Sequence, residues 1–356
     1  MSWPTIGWEN LTDGAADELA DAAASPIYEE NDTTMRTRTT TILAGAAAAA
    51  LALSGCAGGS GEGEGDLGTE FITVATGGNS GVYYQVGAGM SQLFTDELGS
   101  DSTVQATGAS VENITLLKDG DAEVAFAMAD AADQALKGEG PFEEPVESIP
   151  AIANLYEQYL QVITLEDKGI DSIEDLKGKR VSVGDVNSGV ELNARTVVEA
   201  YGMSYDDFNA DYLPYAEAID QMKNGQIDAA FVTSGLPNSS VTDLATTHDV
   251  KVVPFEGEGL DNLLEYEFFG EGTVPADTYD SAEDATTVTI PNLLLASPDL
   301  SEDAVYDITK TIFDNIDQVH ATHNAAKDIT VENAPDVVVT ELHPGAVRYF
   351  EEVGAL

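Results

Sequence analysis

Two rhythms of apolar residues alternate along this chain. From Phe71 the run Phe71, Ile72, Thr73, Val74, Thr76 is aromatic and β-branched, the make-up of a strand. It breaks at Gly77 and Gly78, turns through Asn79, Ser80 and Gly81, and resumes with Val82, Val86, Met90, Leu93 and Phe94 at helical spacing. Strand, Gly-rich turn and helix are therefore expected in that order. Such a turn leaves helix N–H groups unpaired beside backbone that a ligand can approach, which suits a carboxylate or a phosphate. An ordinary strand–helix connection would look the same.

A second copy of the pattern lies at residues 181–201. A β-branched strand leads through Gly184 to Asn187-Ser-Gly-Val190, repeating Asn79-Ser-Gly-Val82, and Val190, Ala194, Val197, Val198 and Tyr201 form the helical stripe. Lys118 to Phe126 and Lys223 to Phe231 follow their respective copies at similar distances, each reading as a Gly-capped helix end and a buried strand. Two α/β lobes of related design follow, with a cleft between them that closes on a small molecule.

Elsewhere the pattern predicts strands at 103–107, 149–165, 229–233 and 250–255, and a returning extended run at 286–296. Residues 131–148 read as a polar surface segment and 172–183 as a helix, a turn and a strand. Ser301 is placed to cap a long helix through Val305, Ile308, Ile312, Phe313, Ile316 and Val319, and a turn at His343 opens a short terminal helix. Lobe I is thus expected at 71–165 plus 291–356 and lobe II at 166–290, joined by two crossings.

Charge changes the picture of the surface. There are 64 acidic against 14 basic residues, a net charge of −50, with 43% of residues hydrophobic. The body can fold, but its surface repels itself until salt screens it, so adaptation to high salt is expected. No basic stripe exists to neutralise phosphates, which argues against nucleic acid as a partner.

The one cysteine is informative. Met35-Arg-Thr-Arg38, the apolar run Ile42 to Leu53 and Leu53-Ser-Gly-Cys56 form the pattern of a lipoprotein signal peptide at 35–56, with Cys56 as the lipidated residue. Residues 57–69 read as a flexible tether. Residues 1–34, upstream of that signal, are expected to be disordered or a mis-assigned start. The protein is then extracytoplasmic, held to the outer face of the cell membrane by lipid on Cys56.

Catalytic patterns are missing: there is no G-x-S-x-G elbow, no P-loop and no H-E-x-x-H. His320 and His323 lack an obvious third ligand for a metal, and Ser80 and Ser188 lack a base. The chain is read as a non-enzyme without cofactor or metal. Ser80 and Ser188 suit hydroxyl donation to a ligand. Arg195 could clamp a carboxylate or pair with an acid. Tyr156 could line the cleft or simply pack, and the turn Ser234-Gly235-Leu236-Pro237 is a candidate wall.

Thr76-Gly-Gly-Asn-Ser-Gly-Val-Tyr-Tyr-Gln-Val-Gly87 resembles the signature of the TAXI subfamily of TRAP transporter receptors, the extracytoplasmic solute-binding subunits of tripartite ATP-independent transporters. Asn187-Ser-Gly189 with Arg195, the approach to Pro237, Leu155-Tyr156 and His343-Pro-Gly-Ala346 add to the resemblance, which covers 71–354. It implies a type II periplasmic-binding-protein fold, an α/β class with two lobes and an interdomain ligand cleft. It also implies capture of glutamate, a dicarboxylate or a similar small organic acid, and delivery to multi-spanning TRAP permease subunits. The ligand role carries over to Thr76, Asn79, Ser80, Gly81, Tyr84, Ser110 and Asn113 in the first lobe and to Asn187, Ser188, Gly189 and Val190 in the second. The upstream residues and the acidity depart from the usual pattern. Two alternatives stand beside this reading: the binding lipoprotein of an ATP-driven importer, and a cell-surface enzyme on the same fold.

Overall fold

The computed structural model describes residues 71–356. The expected signal segment, Cys56 and the tether lie outside the described residues. Strand β1 (Phe71–Ala75) leads through the Gly-rich turn to α1 (Val82–Leu93). Then follow β2 (Asp101–Gln105), α2 (Ser110–Asp119), β3 (Val124–Met128), α3 (Ala129–Lys137) and the long β4 (Ala151–Leu165). The chain continues with β5 (Arg180–Ser182), α4 (Gly189–Ala200), β6 (Asn209–Asp211), α5 (Tyr215–Lys223), β7 (Ala229–Ser234), α6 (Ser239–Ala245), β8 (Val250–Val252), α7 (Gly257–Leu263) and β9 (Gly270–Val274). It closes with β10 (Ala285–Ala296), α8 (Glu302–Asp314), α9 (Ile316–His320) and α10 (Pro344–Val353).

The fold is mixed α/β. Its strands run in the order β2-β1-β3-β10-β4-β7-β5-β6, with β8 beside β4 and β9 beside β10. Reading inward from either edge gives the same arrangement. Three parallel strands, β2-β1-β3 or β6-β5-β7, meet an antiparallel fourth, β10 or β4. The repeat seen in the sequence is thus a repeat of topology.

Helices cover both faces. On one, α1, α8 and α10 bury Val86, Met90, Ile308, Ile312 and Phe350 against β1, β3 and β4, and α2 and α3 pack on the other through Ile114, Leu117 and small alanines. The second half is built the same way, with Val197, Val198 and Phe255 under α4 and α7, and Ile219, Met222 and Leu244 under α5 and α6. Each fully buried large side chain of this kind contributes about 1.5–3 kcal/mol.

Three expectations are corrected. The stretch beginning at residue 131 is not all polar surface, because α3 occupies its start. Its buried positions are Ala129, Asp130, Ala131, Ala132 and Ala135, which give little apolar contrast. The helix expected after Ser172 is a single 3₁₀ turn, Ile173–Leu176, closed by a capping box between Ser172 and Asp175. The long helix after Ser301 does start at that residue, whose Oγ accepts from the Ala304 N–H at 3.1 Å, but it breaks at Asn315 (φ −116°, ψ 28°). His320 and His323 therefore do not share a helix. Among the described residues no group of three or more His, Cys, Asp or Glu side chains is placed to hold a metal ion. No described helix is long and apolar enough to cross a membrane.

Candidate functional site

The carboxyl ends of the parallel strands of both halves converge, the usual location of ligands in open α/β sheets. At the end of β1 the Gly77–Gly81 turn folds back on itself, with the Gly81 N–H donating to the Gly78 carbonyl at 2.8 Å. Thr76 and Asn113 brace the turn from below. The Thr76 hydroxyl donates to the Gln105 carbonyl at 2.7 Å, and the Asn113 amide donates to the carbonyls of Thr76 and Phe126. At the end of β5 the chain turns through Asp185 to Asn187, which takes a left-handed conformation (φ 60°). Ser188 then caps α4, its Oγ accepting from the Glu191 N–H at 3.1 Å.

Between the two turns lies a cavity of about 70 Å³. A single water needs roughly 10–15 Å³ on this measure, so the space admits several waters or one small organic molecule. The first half contributes Gly77, Gly78, Ser80–Tyr83, Thr107–Ala109 and Met128; the second contributes Asp185, Ser188, Val190, Pro214, Tyr215, Thr233 and Ser234; Gln158 of β4 lies at the junction.

Of the residues expected at the site, Ser80, Gly81, Ser188 and Val190 line this cavity. Thr76, Ser110, Asn113 and Gly189 are fully buried behind it. Ser110 Oγ accepts from the Met128 N–H at 3.2 Å, and a Cβ on Gly189 would stand 2.6 Å from Ser110 Oγ and 2.3 Å from Met128 Cε. Only glycine lets α4 start this close to the first half. Asn79 and Asn187 are exposed, and Tyr84 is half-buried off the wall. Arg195 pairs with Glu191 and lies over the Tyr205 ring at 4.7 Å, so of its two readings the structure takes the ion pair. Tyr156 is buried off the lining and packs near Gly235, while Pro237 follows a cis peptide bond and its carbonyl meets His323 Nε2 at 3.2 Å.

Sequence reasoning missed Tyr83, Gln158, Asp185, Pro214, Tyr215 and Thr233. Tyr83 sits inside the Gly-rich motif, one position before the tyrosine that was chosen. The helical stripe gives the signal: Val82, Val86 and Met90 face inward, and Tyr83 lies beside them on the same face. Gln158 is one of several polar residues in β4, beside Asn154, Glu157 and Gln161, so the strand's composition does not single it out.

The lining holds a single charged side chain, Asp185; among the described residues no Lys, Arg or His lines the cavity. Positive potential comes instead from helix ends, since α1, α2, α3, α4 and α5 all begin at the wall. Two wall groups are buried without a partner, Tyr83 Oη and Gln158 Oε1. Buried polar groups are normally satisfied, and these two lie close to each other in the wall. Tyr215 Oη donates to the Thr233 carbonyl at 2.7 Å, and burial pushes the Tyr83 and Tyr215 phenols well up, keeping both neutral. No nucleophile–base pair is present in the lining.

Three bonds tie the halves together around the cavity. Ser239 Oγ donates to the Ser80 carbonyl at 2.7 Å, His323 meets Pro237, and Asn193 Nδ2 donates to Asp130 Oδ2 at 2.6 Å.

Residues 74–354 match the NMT1-like family, and the chain belongs to it. Its topology is that of a type II periplasmic-binding-protein fold. Similar solved structures include PhnD1 from Prochlorococcus marinus in complex with methylphosphonate (14% identity, 72% of this chain and 91% of that one, TM-score 0.49). Another is the periplasmic aliphatic sulphonate binding protein SsuA from Escherichia coli (11%, 80% and 79%, 0.39). A third is the amino acid ABC transporter substrate-binding protein AbpA from Streptococcus pneumoniae bound to L-arginine (14%, 73% and 94%, 0.44).

Proposed function

We propose that this chain is an extracytoplasmic solute-binding receptor that closes on a small organic anion and delivers it to a membrane importer. One observation carries the reading: Ser80 and Ser188, from the two copies of the same motif, stand on opposite walls of one small cavity. In this reading 71–165 plus 291–356 and 166–290 act as the two lobes. The helix starts and serine hydroxyls hold the anionic end, and Tyr83 and Tyr215 cover the rest. Thr76, Ser110, Asn113 and Gly189 support that wall without touching the ligand. Binding rather than catalysis is favoured by the lack of a base beside either serine. Lipid on Cys56 would keep the receptor at the membrane surface.

Two importer types fit. The ATP-driven type is the one named among the solved structures of similar fold. The ion-gradient-driven TRAP type rests on the resemblance of Thr76–Gly87 to TAXI receptors. Uptake into vesicles carrying the cognate permease separates them: collapse of the ion gradient abolishes TRAP transport, and removal of ATP abolishes the other.

The receptor reading is tested by thermal melts against a panel of carboxylates at molar KCl. A true ligand at about a hundred times its Kd should stabilise by about 2.7 kcal/mol. A panel without any stabilising acid, together with turnover of one of them, would replace the receptor by an enzyme.

A further inference from the structure

The five helix starts at the cavity, those of α1 to α5, are not equivalent; α2 and α3 carry Glu112 and Asp130 in their first turns. α4 begins four residues after Asp185 and carries Glu191 in its first turn, and its cap is already filled by Ser188. α5 carries Glu217 in its first turn. Only α1 has neither an acidic residue in its first turn nor a side-chain cap. Its start also holds Tyr83, whose buried hydroxyl makes no close hydrogen bond and lies near the Gln158 and Ser110 side chains. A helix start bears about half a positive charge, which falls off within one turn. The α1 end is therefore free to answer an anion, whereas the α4 end is already opposed by a carboxylate in the cavity wall. Two further acidic residues lie behind the first half's wall. Asp130 sits beyond Tyr83, and Glu112 accepts from the Gly108 N–H at 2.6 Å.

We propose that the cavity is polarised: the bare start of α1 takes the ligand's one unpaired anionic group, and Asp185 faces a neutral or cationic end and excludes a second unpaired anion. This rests on the receptor reading above and narrows it. A plain dicarboxylate, one of the ligands expected from the sequence, would set its second carboxylate against Asp185 with no Lys or Arg in the wall to neutralise it. A monocarboxylate would rest its apolar end on Met128, Val82 and Val190. A zwitterion would bring an ammonium to Asp185.

The test uses three probes of one chain length, butanoate, succinate and 4-aminobutanoate, with the five-carbon set alongside. Binding is measured by calorimetry to the wild-type protein and to Asp185→Asn. The variant keeps the Oδ1 that accepts from the Val186 N–H at 2.8 Å, so the turn is preserved. In the wild type, butanoate and 4-aminobutanoate should bind at least tenfold more tightly than succinate. D185N should narrow the succinate gap tenfold or more and weaken 4-aminobutanoate. The wild-type ranking alone tests the idea if the variant does not fold. Succinate binding as tightly as butanoate, or a ratio unmoved by D185N, overturns the polarity and leaves the receptor standing. If none of the probes binds either protein, the polarity proposal falls, and the receptor reading is decided by the carboxylate panel above.

Discussion

At the scale of single residues, the site depends on one glycine and one buried acid. Gly189→Ala adds a Cβ that meets Met128 and Ser110 across the cavity's edge but does no harm to α4 itself. Ligand Kd should rise tenfold or more in calorimetry, while the unfolding free energy of the ligand-free protein, from urea titration, changes by less than about 1 kcal/mol. Asp130 gives a pH signature. Burial raises its carboxyl to about 7, against about 3.9 in an unfolded chain. Between these values the folded protein holds a proton that the unfolded chain has released. The group's contribution to stability is therefore lost as pH rises from about 4 to 7, and is level above that. Asp130→Asn stays neutral throughout and can still bond Asn193. Its stability relative to wild type should climb across that window, by at most about 4 kcal/mol, in urea titrations at fixed salt. Equal pH profiles for the two proteins would show that Asp130 is ionised in the folded state.

At the scale of elements, the contact between α10 and α8 is the least forgiving. A Cβ on Gly345 would stand 2.3 Å from the Glu302 carbonyl oxygen and 2.6 Å from the Tyr306 nitrogen, backbone atoms that cannot step aside. Gly345→Ala should cost about 1–3 kcal/mol in denaturant melts, with cavity residues untouched. This scale was also the most legible from sequence. The strand–turn–helix at Phe71, the capping Ser301 and the returning run that became β10 all have strong periodicity or unambiguous end chemistry. What escaped had weak contrast. α3 buries alanines, and the break at Asn315 is local, with its side-chain amide donating to the Thr311 carbonyl at 2.9 Å. The cavity wall was legible where it follows from the motif, at Ser80 and Ser188. It was not where Gln158, Pro214 and Thr233 arrive from separate strands and loops, because only the sheet order brings them together. Thr76 of the motif and the side-chain amide of Asn113 on α2 are spent on backbone carbonyls, a division of labour that residue type alone does not reveal.

At the scale of the whole molecule, the net charge of −50 sets the conditions under which any of this is measured. Raising KCl from about 0.1 M to 1 M shortens the screening length from about 10 Å to 3 Å, so the melting temperature should rise steadily over that range. A melting temperature independent of salt would argue that the acids are too well dispersed to repel.

The sheet has one place where its pairing changes hands. β10 pairs with β9 up to Thr289 and with β3 from Asn292, and its register against β4 slips just after Pro291, a residue with no N–H to give. Gln158 stands opposite Ile290, directly beside that slip, with its side-chain oxygen waiting for a donor. A ligand in the cavity that donates to that oxygen would meet the sheet one pair away from its register slip.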